Sequence, residues 1–515
     1  MITMQLPPTP ETASTAGQSR LGLSAHPPGL SVLFFTELWE RFSYYGMRAL
    51  LTLFMVAPIA EGGLGFATAN AGRIYGNYTM AVYMLAIPGG FIADRFLGAR
   101  RAVLYGGWTI ALGHFALAYP AVPAFYIGLL LIALGTGLFK PNISALVGAL
   151  YRQDDVRRDA GFSIFYMGIN IGAFIAPLIT GFLAQGAWFK GWLVDAGFDP
   201  AKSWHWGFAA AGAGMTVAML LFARNARGLS NTAVDARDTT PSPQGEREEW
   251  GSAIKQGAAV AGGTLALLAL ALASDIDGWQ GLRWIFLALP VAAILYAARQ
   301  PGEDARRLSA IGVLFVAAMI FWAIFEQAGS TIALFADQLT RNEVAGVPFP
   351  SSWFQSVNPI FVIALAPIFA ALWISMGTRQ PPPQIKFALG LVFLSASFLL
   401  MVPAAKLAVE GRVSPLWLVG LFFLQTIGEM LVSPVGLSTM TKLAPPRMTG
   451  LVLGLWFLAA AFGNKLAGVL AGAFSSEDPA ALASSFLLQA GVVAAAAVLM
   501  FAIAPWVKRL TNANR

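Results

Sequence analysis

The chain contains no cysteine. Disulfides, thiol nucleophiles, iron–sulfur clusters and Cys-held zinc are therefore excluded. Histidine is almost as scarce. His26, His114 and His205 are the three present, and they share no metal-ligand spacing, so no metal site is expected. His114 stands among Ala and Leu and reads as structural. Charge is scarce too, at 11% of residues, where soluble domains carry about 25%. Residues 1–29 lack the basic start and apolar run of a signal peptide and read as a disordered tail. Apolar sequence fills the rest: the chain is 57% hydrophobic over 515 residues, with a mean hydropathy of +0.65. This is the composition of an integral membrane protein with many spans. The net charge of +7 does not argue for nucleic acid as a partner, because the basic residues lie in short loops.

A run of about 20 apolar residues crosses a bilayer as a helix. Fourteen such runs are legible, near 30–58, 70–95, 102–120, 122–150, 161–185, 204–223, 252–274, 280–299, 308–338, 353–377, 384–404, 415–440, 450–474 and 484–508. A strand barrel would show alternating segments of about ten residues instead. Arg and Lys concentrate on one side of these spans, for example at Arg95, Arg100, Arg101, Arg152, Arg224, Arg247, Arg306, Arg379, Lys442 and Lys508. The opposite loops hold Lys190, Lys202, Arg283, Arg341, Lys406 and Arg412. That bias puts both termini in the cytoplasm. The organisation expected is a tail over 1–29, a six-helix bundle over 30–223 and a polar linker over 224–251. Two inserted helices over 252–299, a second six-helix bundle over 308–508 and a tail over 509–515 follow. Six plus six is how transporters with repeated bundles are built.

The first span carries charges that a lipid-facing helix would not. It reads ELWERFSYYGMR from Glu37 to Arg48. An ionisable group at mid-membrane costs about 2.5–3.5 kcal/mol, so it usually faces a wet cavity and works there. At 100° per residue, Glu37, Glu40, Arg41, Tyr44 and Arg48 fall in one stripe about 100° wide. The stripe could be internal neutralisation, as a single pair often is, or a working surface. Lys140, before Pro141 in GTGLFKPN, sits where proline weakens the helix. Glu326 and Gln327 lie within FWAIFEQAGS, and Glu429 within QTIGEMLVSP. The buried cations Arg48 and Lys140 thus belong to the first bundle, and the buried anions Glu326 and Glu429 to the second. Such pairs can form when a gate shuts and part when it opens. Asn170 and Asn358 are helix-to-helix glue or ligand contacts. Tyr83 and Trp456 are packing or pocket wall. Glu37 and Glu40, beside Arg41, suit a proton site better than a sodium site.

These residues resemble a known family. ELWERFSYYG is similar to the ExxERFxYY motif of the proton-dependent oligopeptide transporters of the major facilitator superfamily. GGFIADRFLGARR and FYMGINIGAFIAP look like its two further signatures, and GTGLFKPN, FEQ, WFQSVNP, GEMLVSPVGLS and WFLAA follow in family order. The resemblance covers about residues 30–508. It implies an all-α membrane protein of the major facilitator fold, with two six-helix bundles and two extra helices, fourteen spans in all. It implies proton-coupled symport of di- and tripeptides into the cytoplasm by alternating access, across a bacterial inner membrane. No cofactor is implied beyond the driving protons; the partners are peptide and lipid bilayer, and the chain is monomeric.

By the same resemblance, Glu37, Glu40 and Arg41 form the proton-coupling group. Arg48 and Lys140 hold the peptide carboxylate; Glu429, with Asn170 and Asn358, holds the amine. Arg48–Glu326 and Lys140–Glu429 are outer gate pairs. Tyr44, Tyr45, Tyr83 and Trp456 line the pocket. The Ser often found after WFL is Ala460 here, which puts a polar contact there in doubt. Other readings are a carrier of a small anion such as nitrate or a carboxylate, an intramembrane enzyme, and a sensor without flux. A simple anion would not need Glu429. With no Cys, no clustered His and no HExxH motif, no enzyme is expected.

Overall fold

Backbone N–H and C=O groups in lipid have no water to bond, so a spanning segment must satisfy them within itself. A computed structural model describes residues 26–152, 155, 157–225, 229, 243–299, 302–444 and 449–512. Each of the fourteen expected spans is helical there. The first half contains α1 (Gly29–Val56), α2 (Thr68–Met84), α3 (Ala86–Ile92), α4 (Ala99–Leu117), α5 (Val122–Ala149), α6 (Arg158–Gln185), α7 (Ala187–Asp195) and α8 (Ser203–Asn225). Then come α9 (Pro243–Ala273) and α10 (Ile285–Arg299). The second half contains α11 (Glu303–Phe325), α12 (Thr331–Gln338), α13 (Val357–Met376), α14 (Pro383–Leu407), α15 (Leu416–Leu443), α16 (Thr449–Ala471) and α17 (Pro479–Asn512). Most of the expected tail at 1–29 and much of the linker at 224–251 lie outside the described residues, as does the end of the tail at 509–515. From Pro243 the linker stretch is already helix α9.

Eleven of the described helical segments are long and apolar enough to cross a membrane. The remaining three expected spans are α1, with its four charges, α4, with Arg100 and Arg101, and the short α10. Residues such as Leu112, Leu130, Ile368, Ile374, Leu488 and Val498 are exposed on the outer faces of their helices. Exposed apolar surface of this extent is what lipid would cover.

Three details depart from simple rods. The second span breaks at Leu85 into α2 and α3, then ends in a π-helical turn over Ala93–Leu97. The seventh breaks into α11 and α12 around a 3-10 turn at Glu326–Gly329. A short helix, α7, lies between the fifth and sixth spans with Trp188 and Trp192 exposed. A two-stranded hairpin, β1 (Glu343–Val344) with β2 (Val347–Pro348), follows α12. It turns through Ala345 and Gly346, both at positive φ.

Helices α1, α6 and α8 pack together, and α4 packs on α5 and on α8; α11 packs on α16, and α14 on α15 and α17. The two bundles meet along α2 with α16, α6 with α13, and α1 with α12. At the first seam the backbones touch. A Cβ on Gly468 would stand 2.4 Å from the Gly72 carbonyl oxygen and 2.5 Å from the Gly76 Cα. Only glycine permits that approach, as in other membrane helix pairs.

The hydrogen bonds that join the bundles gather at the end of the molecule holding the C-termini of α1 and α6. Gln185 Nε2 donates to Ser351 Oγ (3.0 Å), and the Ser352 amide donates to Gln185 Oε1 (3.1 Å). Trp353 Nε1 donates to the Leu178 carbonyl (3.1 Å), and Ser356 Oγ to the Phe174 carbonyl (2.7 Å). The two bundles are held together at this end.

Candidate functional site

Helix α1 reaches from one end of the first bundle to the seam, and its charged stripe is buried along its length. Glu37, Glu40, Arg41, Tyr44 and Arg48 are each 8% exposed or less. Arg41 Nε stands 3.1 Å from Glu37 Oε1, one helical turn away, and also bonds Glu40. The Arg41 guanidinium lies 5.3 Å from the centre of the Tyr44 ring. One cation therefore serves two carboxylates. Among the described residues, Glu37 Oε2, Glu40 Oε1 and Arg41 Nη2 are buried without a protein partner. A buried polar atom left unpaired costs about 1–3 kcal/mol, so this cluster gains from a proton or water.

Two turns on, Arg48 crosses to the second bundle. Its Nη2 lies 2.5 Å from Glu326 Oε2, and its Nε donates to Tyr75 Oη at 2.8 Å. Tyr75 Oη also lies 3.4 Å from the Glu326 carbonyl oxygen. Thr52 Oγ1 donates to the Gly329 carbonyl at 2.7 Å. The break between α11 and α12 is what presents Glu326 and a free carbonyl to α1. A Cβ on Gly329 would stand 2.2 Å from Tyr75 Oη and 3.1 Å from Arg48 Nε, so the turn has no room for a side chain there.

The second expected gate pair is not closed. Lys140 Nζ sits 4.0 Å from the centre of the Tyr83 ring, a cation–π contact. Among the described residues it forms no ion pair. Glu429 Oε2 instead accepts from Asn358 Nδ2 at 3.0 Å, and Asn358 Nδ2 also reaches Thr426 Oγ1 at 3.0 Å. Asn358 and Glu429 are thus joined, one from α13 and one from α15. Asn170 turns inward on its own helix, donating to the Tyr166 carbonyl at 3.0 Å. Tyr44 and Tyr45 meet edge to face, 5.3 Å between ring centres. Trp456 is buried against α15, where a Cβ on Gly436 would stand 2.5 Å from its ring. The expected site residues therefore form an Arg41 cluster, an Arg48–Glu326 junction, a Lys140–Tyr83 contact and an Asn358–Glu429 pair.

Sequence reasoning missed Tyr75 and Thr426. Tyr75 is fully buried and completes the Arg48 junction. Its span reads RIYGNYTMAVYM, and a tyrosine–polar stripe in a transmembrane helix was the available signal. Thr426 stands three residues before Glu429 on the same helix, and its i,i+3 position was the corresponding one.

Known proteins sharpen what this arrangement is. The model of the POT family, PTR2, matches residues 100–240 and 265–485. The chain is 39% identical over 511 residues to the peptide transporter YePEPT of Yersinia enterocolitica, covering 95% of this chain and 96% of that one. It is 39% identical over 448 residues to a di-/tripeptide transporter of Lactococcus lactis subsp. cremoris, with 84% and 86% covered. Among solved structures, a peptide transporter POT in complex with alafosfalin aligns with a TM-score of 0.82 at 38% identity, covering 96% of this chain and 98% of that one. A POT family transporter in complex with 5-aminolevulinic acid aligns at 0.79 with 31% identity, covering 94% and 98%.

Proposed function

The chain belongs to the POT family, and from that premise we propose that it carries di- and tripeptides into the cytoplasm by proton-coupled symport. It is a transporter and not an enzyme. The observation that carries the reading is the charge division across the central seam. Cations Arg48 and Lys140 stand on the first bundle, and anions Glu326 and Glu429 on the second. A short peptide is a zwitterion of matching polarity. Its carboxylate suits Arg48 and Lys140; its ammonium suits Glu429, oriented by Asn358. Tyr44, Tyr45, Tyr83 and Trp456 supply wall for side chains, which favours broad selectivity.

With both termini inside, the end where the bundles are bonded together is the outer face, and peptide is released toward the cytoplasm. Peptide and proton then share one mechanism. A peptide carboxylate competes with Glu326 for Arg48. A carboxylate that loses its cation in a low-dielectric cavity takes up a proton. The Arg48–Glu326 junction can part only when something else satisfies both groups, because an orphaned buried charge costs about 3–5 kcal/mol. Glu37, Glu40 and Arg41 give the proton a second station on the same helix. The bilayer is a bacterial inner membrane, and one chain is the working unit.

The testing experiment is uptake of a radiolabelled dialanine by purified protein in liposomes, with and without an inward proton gradient. Accumulation against a concentration gradient only when the proton gradient is present is the expected result. Gradient-independent accumulation, or none, overturns the proposal. Nitrate that competes as well as dialanine would favour the simple-anion reading, against which Glu429 stands.

A further inference from the structure

Helices α9 and α10 interrupt the two bundles, and nothing in the transport site requires them. Yet each leg of this hairpin rests on a different bundle. Helix α9 packs against α2 and α3, with Phe91 so close to Gly257 that a Cβ there would stand 2.7 Å from the ring. Helix α10 packs against α11; a Cβ on Gly312 would stand 2.3 Å from Ile294. Phe286 at the start of α10 meets Phe462 of α16 edge to face, 5.1 Å between centres.

The tip of the hairpin ends at the α2–α16 seam, beside the Gly72–Gly468 contact. There Asp275 bonds both bundles at once. Its Oδ2 accepts from Asn77 Nδ2 of α2 at 2.7 Å and from Lys465 Nζ of α16 at 2.7 Å. Lys465 is 1% exposed. It also donates to Asn77 Oδ1 (2.7 Å) and to the Ala271 carbonyl (2.9 Å). Arg73 Nη1 donates to the Asp275 carbonyl oxygen at 2.8 Å. Arg283, from the far side of the same turn, stands 3.6 Å from Asp275 Oδ1 and donates to the Ser274 carbonyl at 3.1 Å. Every donor of the buried Lys465 ammonium is thus spent on a triangle of α2, α16 and hairpin tip.

We propose that Asp275 is a positioning residue of the outer gate, and that the inserted hairpin is a clamp whose tip holds the α2–α16 seam shut. Opening the outer face separates Gly72 and Gly76 from Gly468, and that movement pulls Asn77 away from Lys465. Asp275 cannot follow both. Its side chain bonds each bundle only while the seam is closed, so its charge stabilises the closed seam over the open one. A group shifts an equilibrium only by its different interactions with the two states, and this group has such a difference. The clamp acts on the seam whatever the cargo, so it rests on the alternating movement of the family and not on the identity of the peptide.

The chain has no cysteine, so a spin-label pair needs only two introduced sites. Ala67→Cys, before α2, and Glu477→Cys, after α16, are both exposed and flank the seam. Paramagnetic resonance on the protein in lipid nanodiscs gives the populations of short and long separations. Asp275→Asn keeps the shape and removes the charge; it should raise the ratio of open to closed seam about tenfold. Asp275→Glu, which keeps the charge, should retain most of the closed population. Asp277→Asn, two residues on at the exposed tip, should change nothing. Lys465→Met approaches the same bond from α16 and decides the question if Asp275→Asn does not fold. A distance distribution for either charge-removing variant that matches the parent overturns the proposal. Failure of dialanine uptake by the parent would overturn the proposed cargo but leave these distances, and the clamp, to be read.

Discussion

Helix α1 carries two charge clusters, and they differ in where their partners stand. Glu37, Glu40 and Arg41 find one another on the same helix within a single turn. Arg48 finds Glu326 on the other bundle, 278 residues away in sequence. The first cluster can stay assembled through any rigid movement of the bundles. The second is broken by any movement that opens the seam. On the proposed function, the local cluster is placed to keep a proton throughout the cycle, and the crossing pair to respond to which face is open. The two stand on one helix, two turns apart.

The largest expected effect comes from breaking the crossing pair. Arg48→Ala leaves Glu326 buried and unpaired at a cost of about 3–5 kcal/mol. It also removes the cation that would hold the peptide carboxylate. Uptake of dialanine should fall at least ~100-fold, a barrier rise of about 2.7 kcal/mol or more. Glu326→Gln sharpens the point, since an amide oxygen can still accept from Arg48 without its charge; binding should survive where gradient-driven accumulation does not. Equilibrium binding by calorimetry beside liposome uptake separates the two. Uptake by Arg48→Ala within tenfold of the parent would remove the junction from the mechanism.

Breaking the local cluster should act differently. Glu37→Gln and Glu40→Gln each remove one carboxylate beside Arg41 and leave the seam intact. Proton-driven uptake should drop to the level seen without a gradient. Exchange of labelled for unlabelled peptide across the membrane, which needs no net proton movement, should stay within about threefold of the parent. Exchange lost along with driven uptake would show that the cluster serves the seam and not the proton.

How much of this was legible beforehand follows the same division. The fourteen spans could be read because lipid demands long apolar runs, and the α1 stripe because its partners sit at helical spacing. The resemblance gave Arg48 and Glu326 a shared role, but helix periodicity alone could not bring together two residues on separate bundles. Pairing across bundles depends on which face is open. Arg48–Glu326 is formed with the outer end closed, whereas Lys140 and Glu429, expected to shut with it, face Tyr83 and Asn358, so the second pair does not follow the outer gate. The break at Glu326–Gly329 was hidden because the run from 308 to 338 stays apolar on both sides of it. Helix α7 was hidden because nine residues are too few to register as a span. Tyr75 was hidden because a tyrosine in a membrane helix is more often packing than a partner, and its span carries three of them.

Asn358 gives a smaller effect, confined to the substrate. Asn358→Ala removes the donor that orients Glu429 and a bond to Thr426. A hydrogen bond to a charged group contributes about 1.5–3 kcal/mol. Part of it is recovered as the ammonium of the peptide takes the vacated lone pair. The concentration for half-maximal uptake should rise about three- to tenfold, with the saturating rate changed less. A free carboxylate competitor lacking an ammonium should be unaffected if, as proposed, a carboxylate is held by Arg48 and Lys140 of the first bundle. Equal losses for both ligands would place Asn358 in general packing.

Tyr75→Phe is the finest probe of the comparison, since it touches the crossing pair without breaking it. Tyr75 Oη accepts from Arg48 Nε, while Arg48 Nη2 keeps Glu326. The substitution deletes an acceptor for Arg48 and the 3.4 Å bond to the Glu326 carbonyl, and leaves the charge pair whole. A single hydrogen bond contributes about 0.5–1.5 kcal/mol net, so the open-to-closed ratio of the outer seam should rise roughly threefold, well below the effect of Arg48→Ala. The same spin-label pair that reads the hairpin clamp measures it. If Tyr75→Phe opened the seam as far as Arg48→Ala, the phenol and not the guanidinium–carboxylate pair would be what holds α1 to the second bundle. If it changed nothing, Arg48 would depend on Glu326 alone, and the comparison between a local and a crossing cluster would rest on that one bond.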